Sequence, residues 1–500
     1  MTTWSPKTYG PSDEYDYYIL DVFYNWKLRS EVAQRLNGKP IIDLSSGQNL
    51  QSAPAPLLEE LARDIYNPLF YIYYDNPAGS FIWRKAIADY ETLRAQNACC
   101  LSAANALVTV GITSGFYCIA RYFAAKFPGS KVLIPVPSYL AFGESIINQG
   151  LEPVEIVSGV SPRLMPSAED FEKALLDRNI KLVYLTPLGN PTGTCITAEY
   201  TRRLIAMIKE HDSYLLWDET ATTLVFPGHK APNILALASE MDALHRVIIV
   251  AGPSKDRSMP GFRIGWLIAE EEMVRQMAHY NRELVCNPPV VFAGMIFKEM
   301  LLRSLGEVLY HARDSEDTTS AVAEVIHRFL GPSGVEVESE IAKLLPLLEG
   351  NVHDFFAPFR DTGYLLDECE RCHNWLEHCL CLFQSNSALV TSMLKDEIEE
   401  ISEVQGGFNL FVKLRGLKQV DQRDFVTQLF VRRGVEIVPG PVFGLTQEVW
   451  QTNPKLGPWF RITFSTLPDI LQDGLSRLLE HKYMYQRESG RNTSGASIGR

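Results

Sequence analysis

The stretch Val247-Ile248-Ile249-Val250-Ala251-Gly252-Pro253-Ser254-Lys255 decides how this 500-residue chain is read. It starts as a short apolar run rich in β-branched residues, breaks at Gly252-Pro253, and leaves a serine and a lysine beyond the run's carboxyl end. Working outward, the same pattern recurs on both sides: an apolar run, a break of Gly, Pro or Ser, then an amphipathic stretch of helical period. The other runs are Ala106–Val110, Lys131–Val136, Lys181–Thr186, Tyr214–Trp217 and Gly265–Ile268, and Thr197–Glu210 is one of the helical stretches between them. Strands alternating with helices predict an α/β fold built on a mostly parallel sheet.

In such sheets ligands sit beyond the carboxyl ends of the strands, where loops and helix N-termini converge. Polar residues fall in that place here. Thr113 and Ser114 follow the first run, Tyr139 the second and Asn190 the third, while Asp218 ends the fourth and Lys255 follows the fifth. Taken singly, each has an ordinary explanation: Thr-Ser pairs cap helices, strand-end tyrosines belong to cores, and lysines sit at surfaces. Several strand ends converging on one crevice is the stronger signal.

Four motifs then carry a family resemblance: Asn190-Pro191-Thr192-Gly193, Asp218-Glu219, Ser254-Lys255, and Pro260-Gly261-Phe262-Arg263-Ile264-Gly265. With Arg84-Lys85-Ala86-Ile87-Ala88 near the start and Trp459-Phe460-Arg461 near the end, the chain resembles the class I/II aminotransferase family of fold-type I pyridoxal 5′-phosphate (PLP) enzymes. Within that family it is especially similar to the 1-aminocyclopropane-1-carboxylate (ACC) synthase branch. The resemblance runs from about Ile41 to Leu479. It implies a large domain with a mostly parallel seven-stranded sheet plus a smaller C-terminal α/β domain.

It also implies roles. Lys255 holds PLP as a Schiff base and moves the substrate's α-proton, helped by desolvation that lowers a buried lysine's pKa. Asp218 pairs with the pyridine nitrogen, Asn190 bonds the 3′-oxygen, and Tyr139 stacks on the ring face. The phosphate sits on Ile112, Thr113 and Ser114 at a helix N-terminus, with Ser254 nearby and Arg263 as a clamp. Arg461 takes the substrate α-carboxylate with its planar fork, and Gly47 and Asn190 complete the substrate side.

Four positions depart from the family pattern. Ala221 stands where a tyrosine would bond the 3′-oxygen, and Gly252 where a phosphate-binding serine is expected. Pro77 replaces a tyrosine offered to the neighbouring subunit, which leaves Tyr73 or Tyr74 to reach in, and Gly47 replaces an acidic residue of the ACC synthase branch. Losing one neutral hydrogen bond costs about 1 kcal/mol, so cofactor binding should survive while specificity changes.

The formal charge of −13 argues against nucleic-acid or anionic-membrane partners, which need clustered Lys and Arg. The first thirty residues carry Asp13, Glu14, Asp16 and Asp21 and lack a signal peptide's basic start, and no run approaches a membrane span. Nine cysteines fit reduced thiols in the cytoplasm. Cys369, Cys372, His373, His378, Cys379 and Cys381 contain a metal half-site spacing, yet Cys369, Cys372, Leu376 and Cys379 follow helical spacing, so a helix's buried face explains them and no metal is expected.

The expected organisation is an N-terminal arm with part of the small domain over 1–104, a large PLP-binding domain over 105–305, a small domain with a divergent helical insertion over 306–487, and a disordered tail over 488–500. The expected activity is ACC-synthase-like elimination, substitution or cyclisation at Cγ or Cβ of an α-amino acid, with S-adenosylmethionine as a candidate substrate, in secondary metabolism. The alternatives are amine transfer from an amino acid to a 2-oxo acid, and a catalytically altered binding module. The resemblance implies a homodimer.

Overall fold

The structure, a computed structural model, describes residues 23–139, 141–157, 163–311, 318–344, 355–418, 422–444, 453 and 456–495. After β1 (Ile42–Asp43), the next strands are β2 (Ala106–Val110), β3 (Lys131–Val136), β4 (Glu152–Val157), β5 (Ile180–Leu185), β6 (Tyr214–Asp218), β7 (Val247–Ala251) and β8 (Ile264–Ile268). β2 to β8 form a seven-stranded sheet in the order β2-β8-β7-β6-β5-β3-β4. All its pairs are parallel except those of β8, which runs antiparallel to β2 and β7.

Both faces of this sheet are covered, which is why its strands read as unbroken apolar runs rather than as alternations. Along β7, Ile248 and Val250 enter one core while Val247, Ile249 and Ala251 enter the other. The predicted bounds of β2, β3 and β7 coincide with the observed ones, and β5, β6 and β8 differ by a residue at one or both ends. β4 is an addition. Its residues are half-exposed and include Glu152, Pro153 and Glu155, so the edge strand lacks the apolar run that marks its neighbours.

The remaining strands are β9 (Ile398–Ile401), β10 (Asn409–Leu414), β11 (Val435–Glu436), β12 (Val438–Pro439) and β13 (Trp459–Thr463). They make an antiparallel sheet ordered β12-β13-β10-β9 and a short parallel pair of β1 with β11. Phe411, Phe460 and Ile462 of this smaller sheet share one buried cluster with Leu216 and Val250 of the large one.

After β8 come two helices, Glu271–Val285 and Ala293–Gly306. They break at Cys286, whose φ is +64°, and at Pro288 and Pro289, which cannot continue a helix. The divergent segment after His311 contains helices Thr318–Leu330 and Pro332–Leu344 and a 33-residue helix, Thr362–Leu394. Cys369, Cys372 and Cys379 lie on that long helix's buried face, with Cys381 exposed. Among the described residues, no three of His, Cys, Asp or Glu lie where they could share a metal ion.

The closing helix runs Pro468–Gly495. Tyr485 is buried and Arg432 pairs with Glu488 at 2.9 Å, so tertiary contacts carry the helix into the segment expected to be disordered. Residues 488–495 continue this helix, and residues 496–500 lie outside the described ones. No described helix is long and apolar enough to cross a membrane.

Candidate active site

The Gly252-Pro253 break turns the chain out of β7 into a single helical turn, Pro253–Asp256, that carries Lys255. A Cβ on residue 252 would come within 2.8 Å of the Ile264 carbonyl oxygen at the start of β8, so glycine is required there for packing. This accounts for the absent serine. Lys255 Nζ donates to the Gly47 carbonyl oxygen at 2.7 Å. Burial, then the positive charges of Arg461 and Arg263, push the amine down to about 8, against the opposing pull of Asp218. About one amine in ten is then neutral at pH 7, far more than for an exposed lysine.

Asp218, the last residue of β6, is 4% exposed. Its Oδ1 accepts the Thr220 backbone N–H at 3.0 Å and the Thr220 hydroxyl, and its Oδ2 accepts the Tyr184 hydroxyl at 2.9 Å. All of these donors are neutral. Among the described residues no lysine or arginine forms an ion pair with Asp218, and burial pushes its carboxyl above the ordinary range. A buried carboxylate so placed has its hydrogen bonds but lacks a countercharge, which favours a cationic partner.

Arg461 reaches in from β13 of the smaller sheet. Its Nη1 donates to Asn190 Oδ1 at 3.1 Å, its Nη2 donates to the Ser45 carbonyl oxygen, and the guanidinium lies 5.0 Å from the Phe443 ring centre. Its Nε is buried without a partner among the described residues. Burial pushes the guanidinium down to about 10, so it stays charged at neutral pH. Gly47, at φ +58°, lies directly under it: a Cβ there would sit 3.0 Å from Nη1.

At the other end of the crevice, helix Gly111–Lys126 begins with no side-chain cap, so the first-turn N–H groups of Ile112, Thr113 and Ser114 face outward from its positive pole. Ser114 Oγ instead donates back to the Gly111 carbonyl at 3.1 Å. The Arg263 guanidinium lies against this turn, with Nη2 2.6 Å from where a Gly111 Cβ would be, and Nη1 donates to the Pro260 carbonyl at 3.2 Å. Ser254 is buried beside Lys255. Tyr139 follows β3 with 42% of its surface exposed, and its hydroxyl feels the charges of Asp218, Arg461 and Arg263.

Direct contacts and mutual charge effects thus bring Gly47, Asn190, Arg461, Lys255, Asp218, Tyr139 and Arg263 near one another. Sequence reasoning missed Tyr184, Thr220 and Ser45. Tyr184 sits inside the apolar run Lys181–Thr186 and looks like core, whereas an Asp followed two residues on by Thr is a local hydrogen-bonding signature that could have pointed to Thr220. A separate open groove of about 580 Å³ starts at Val110, the residue before the Gly111 turn, and is lined by Tyr71, Tyr73, Tyr74, Cys286 and Val291.

A lysine after one strand end, a buried aspartate ending the neighbouring strand, an uncapped helix start and a buried arginine thus stand near one another in an α/β fold. The sequence pattern described as "Aminotransferase class I and II" matches residues 39–296, and the chain belongs to that family, whose enzymes use PLP. It is 23% identical over 442 residues to an aspartate aminotransferase from Thermotoga maritima, covering 88% of this chain and 91% of that protein. An aspartate aminotransferase from Streptomyces avermitilis is 27% identical over 256 residues, a match that spans 51% of this chain and 60% of the relative. The crystal structure of an aspartate aminotransferase from Thermotoga maritima superposes with a TM-score of 0.66 at 20% identity, covering 93% of this chain and 96% of that one, which shows the shared fold.

The residues present fit PLP. Asp218 lacks a countercharge and so suits a protonated ring nitrogen, the uncapped turn with Arg263 suits a phosphate, and the Lys255 amine suits an aldehyde.

Proposed function

We propose that this chain moves the amino group of an α-amino acid to a 2-oxo acid, with PLP held covalently by Lys255. What supports the reading is the Lys255 amine, which donates to the Gly47 carbonyl at 2.7 Å, next to the glycine that lies under Arg461, and feels the charges of both Asp218 and Arg461. Relatives named as aspartate and valine–pyruvate aminotransferases favour amine transfer over the ACC-synthase-like outcome. Bound PLP supplies an electron sink for the pair released at the substrate's Cα.

The chain's own residues do the rest. Arg461 exchanges the Ser45 carbonyl for the substrate α-carboxylate, a stronger acceptor, and its orphaned Nε gains a partner. Gly47 leaves room for that exchange and offers its carbonyl to Lys255 Nζ. Once a substrate amine has displaced it, the freed Lys255 amine would take the proton from Cα. Asp218 would hold the ring nitrogen's proton, Asn190 would bond the 3′-oxygen through its amide NH₂, and Tyr139 would lie against the ring. Ile112, Thr113, Ser114 and Arg263 would hold the phosphate, with Ser254 beside them.

We further infer a cytoplasmic homodimer. Tyr71, Ile72 and Tyr74 are 59%, 58% and 87% exposed beside the groove at Val110, and a second copy covering them would bring Tyr73 or Tyr74 to the partner's site. The test is to incubate the PLP-loaded protein with a panel of amino acids and 2-oxo acids and follow the new amino acid by chromatography. Amine transfer supports the reading. Release of methylthioadenosine from S-adenosylmethionine, with no transfer, would overturn it.

A further inference from the structure

Tyr184 is fully buried at 0% exposure, on β5 next to the strand that ends in Asp218. Its ring is fixed edge-on to Phe116, with centroids 6.1 Å apart, and tilted against Phe142 at 5.2 Å. This aromatic cage leaves the hydroxyl little freedom, and it points at Asp218 Oδ2 at 2.9 Å. Thr220 engages only Oδ1. Tyr184 is thus the donor that orients the second carboxylate oxygen.

Resting on the PLP reading above, we propose that Tyr184 is a positioning residue that fixes the plane of the Asp218 carboxylate and keeps it an ionised acceptor for the cofactor's ring N–H. A core tyrosine needs some partner for its hydroxyl, and a backbone carbonyl would serve that purpose equally well. Donation to the one buried carboxylate facing the crevice stabilises its charged form. The other groups acting on that carboxylate are Glu219, which follows it and opposes ionisation, Lys255 beyond β7, and Tyr139 beyond β3.

The experiment compares full-length wild type, Tyr184→Phe and Asp218→Asn, each stripped of cofactor and titrated with PLP across pH, with thermal unfolding of the stripped proteins alongside. Tyr184→Phe removes one oxygen and keeps the ring in its cage. Without the phenol the carboxyl protonates at higher pH, so the acid limb of PLP affinity is expected to move up by about one pH unit and affinity near that limb to fall about tenfold. The unfolding temperature of the stripped variant stays near wild type. An unchanged acid limb and affinity in Tyr184→Phe, with Asp218→Asn impaired, would overturn this inference and leave the PLP reading standing. A loss of affinity matched by equal loss of fold would mark a structural hydroxyl and also overturn it. If Asp218→Asn binds PLP as wild type does, the cofactor reading itself falls.

Discussion

Lys255 Nζ and the Gly47 carbonyl oxygen are 2.7 Å apart, so the amine is held by a loop more than two hundred residues away in sequence. That same loop supplies the Ser45 carbonyl to Arg461. The two groups that must release protein partners when a substrate enters are therefore restrained by one three-residue segment. A shift of Ser45–Gly47 would therefore act on the amine and on the guanidinium together.

Gly47→Ala tests that coupling. The left-handed backbone costs a non-glycine residue about 1 kcal/mol or more, and the added methyl presses on Arg461. Thermal unfolding should show a loss of that order. Steady-state kinetics should show KM for the amino acid raised roughly tenfold, equivalent to about 1.4 kcal/mol, with PLP affinity little changed.

The reactivity of the amine should follow pH. Lys255 is nucleophilic when neutral, so its rate of condensation with PLP in the stripped protein should climb from pH 7 to 9 and level off above the midpoint near 8. Arg461 is one of the charges that hold the midpoint down, so Arg461→Met should shift it upward and slow the reaction at pH 7. Stopped-flow absorbance at several pH values reads both effects.

Behind Lys255 lies a buried ion cluster: Glu299 accepts from Arg257 at 2.7 Å and from Arg303 at 2.5 Å, and Arg303 also pairs with Asp256 at 3.0 Å. Burial would raise the Glu299 carboxyl, yet the two guanidinium groups override it and hold the group below its ordinary value. Its contribution to stability is present above the carboxyl's unfolded pKa and is lost as pH falls through the lower folded value. Glu299→Gln leaves the buried Arg257 without its carboxylate, while Arg303 keeps Asp256, and chemical denaturation at pH 7 should register a loss of about 3 kcal/mol.

The large sheet was legible because burial on both faces forces apolar runs such as Val247–Ala251, and its functional residues fall where those runs stop. β4 was not, since an edge strand of Glu152, Pro153 and Glu155 is chemically close to a loop. The helix Thr362–Leu394 was legible only in part, through the spacing of Cys369, Cys372 and Cys379. Its inner face buries Glu368 and Asn386 as well as cysteines, and only tertiary partners make that tolerable: Lys298 bonds Glu368 at 2.5 Å, and Asn386 donates to the Phe464 and Thr466 carbonyls at 2.8 Å. The residues singled out around the crevice came from motifs, whereas Tyr184 could be found only in three dimensions, because a phenol in an apolar run looks the same whether it faces a carbonyl or a catalytic carboxylate.

The most direct test of the central claim is to load the protein with PLP, reduce it with borohydride, and locate the phosphopyridoxyl label by peptide mass spectrometry. The account predicts the label on the Lys255 side chain. Label on a different lysine, or no label on a protein that still turns over amino acids, would contradict it.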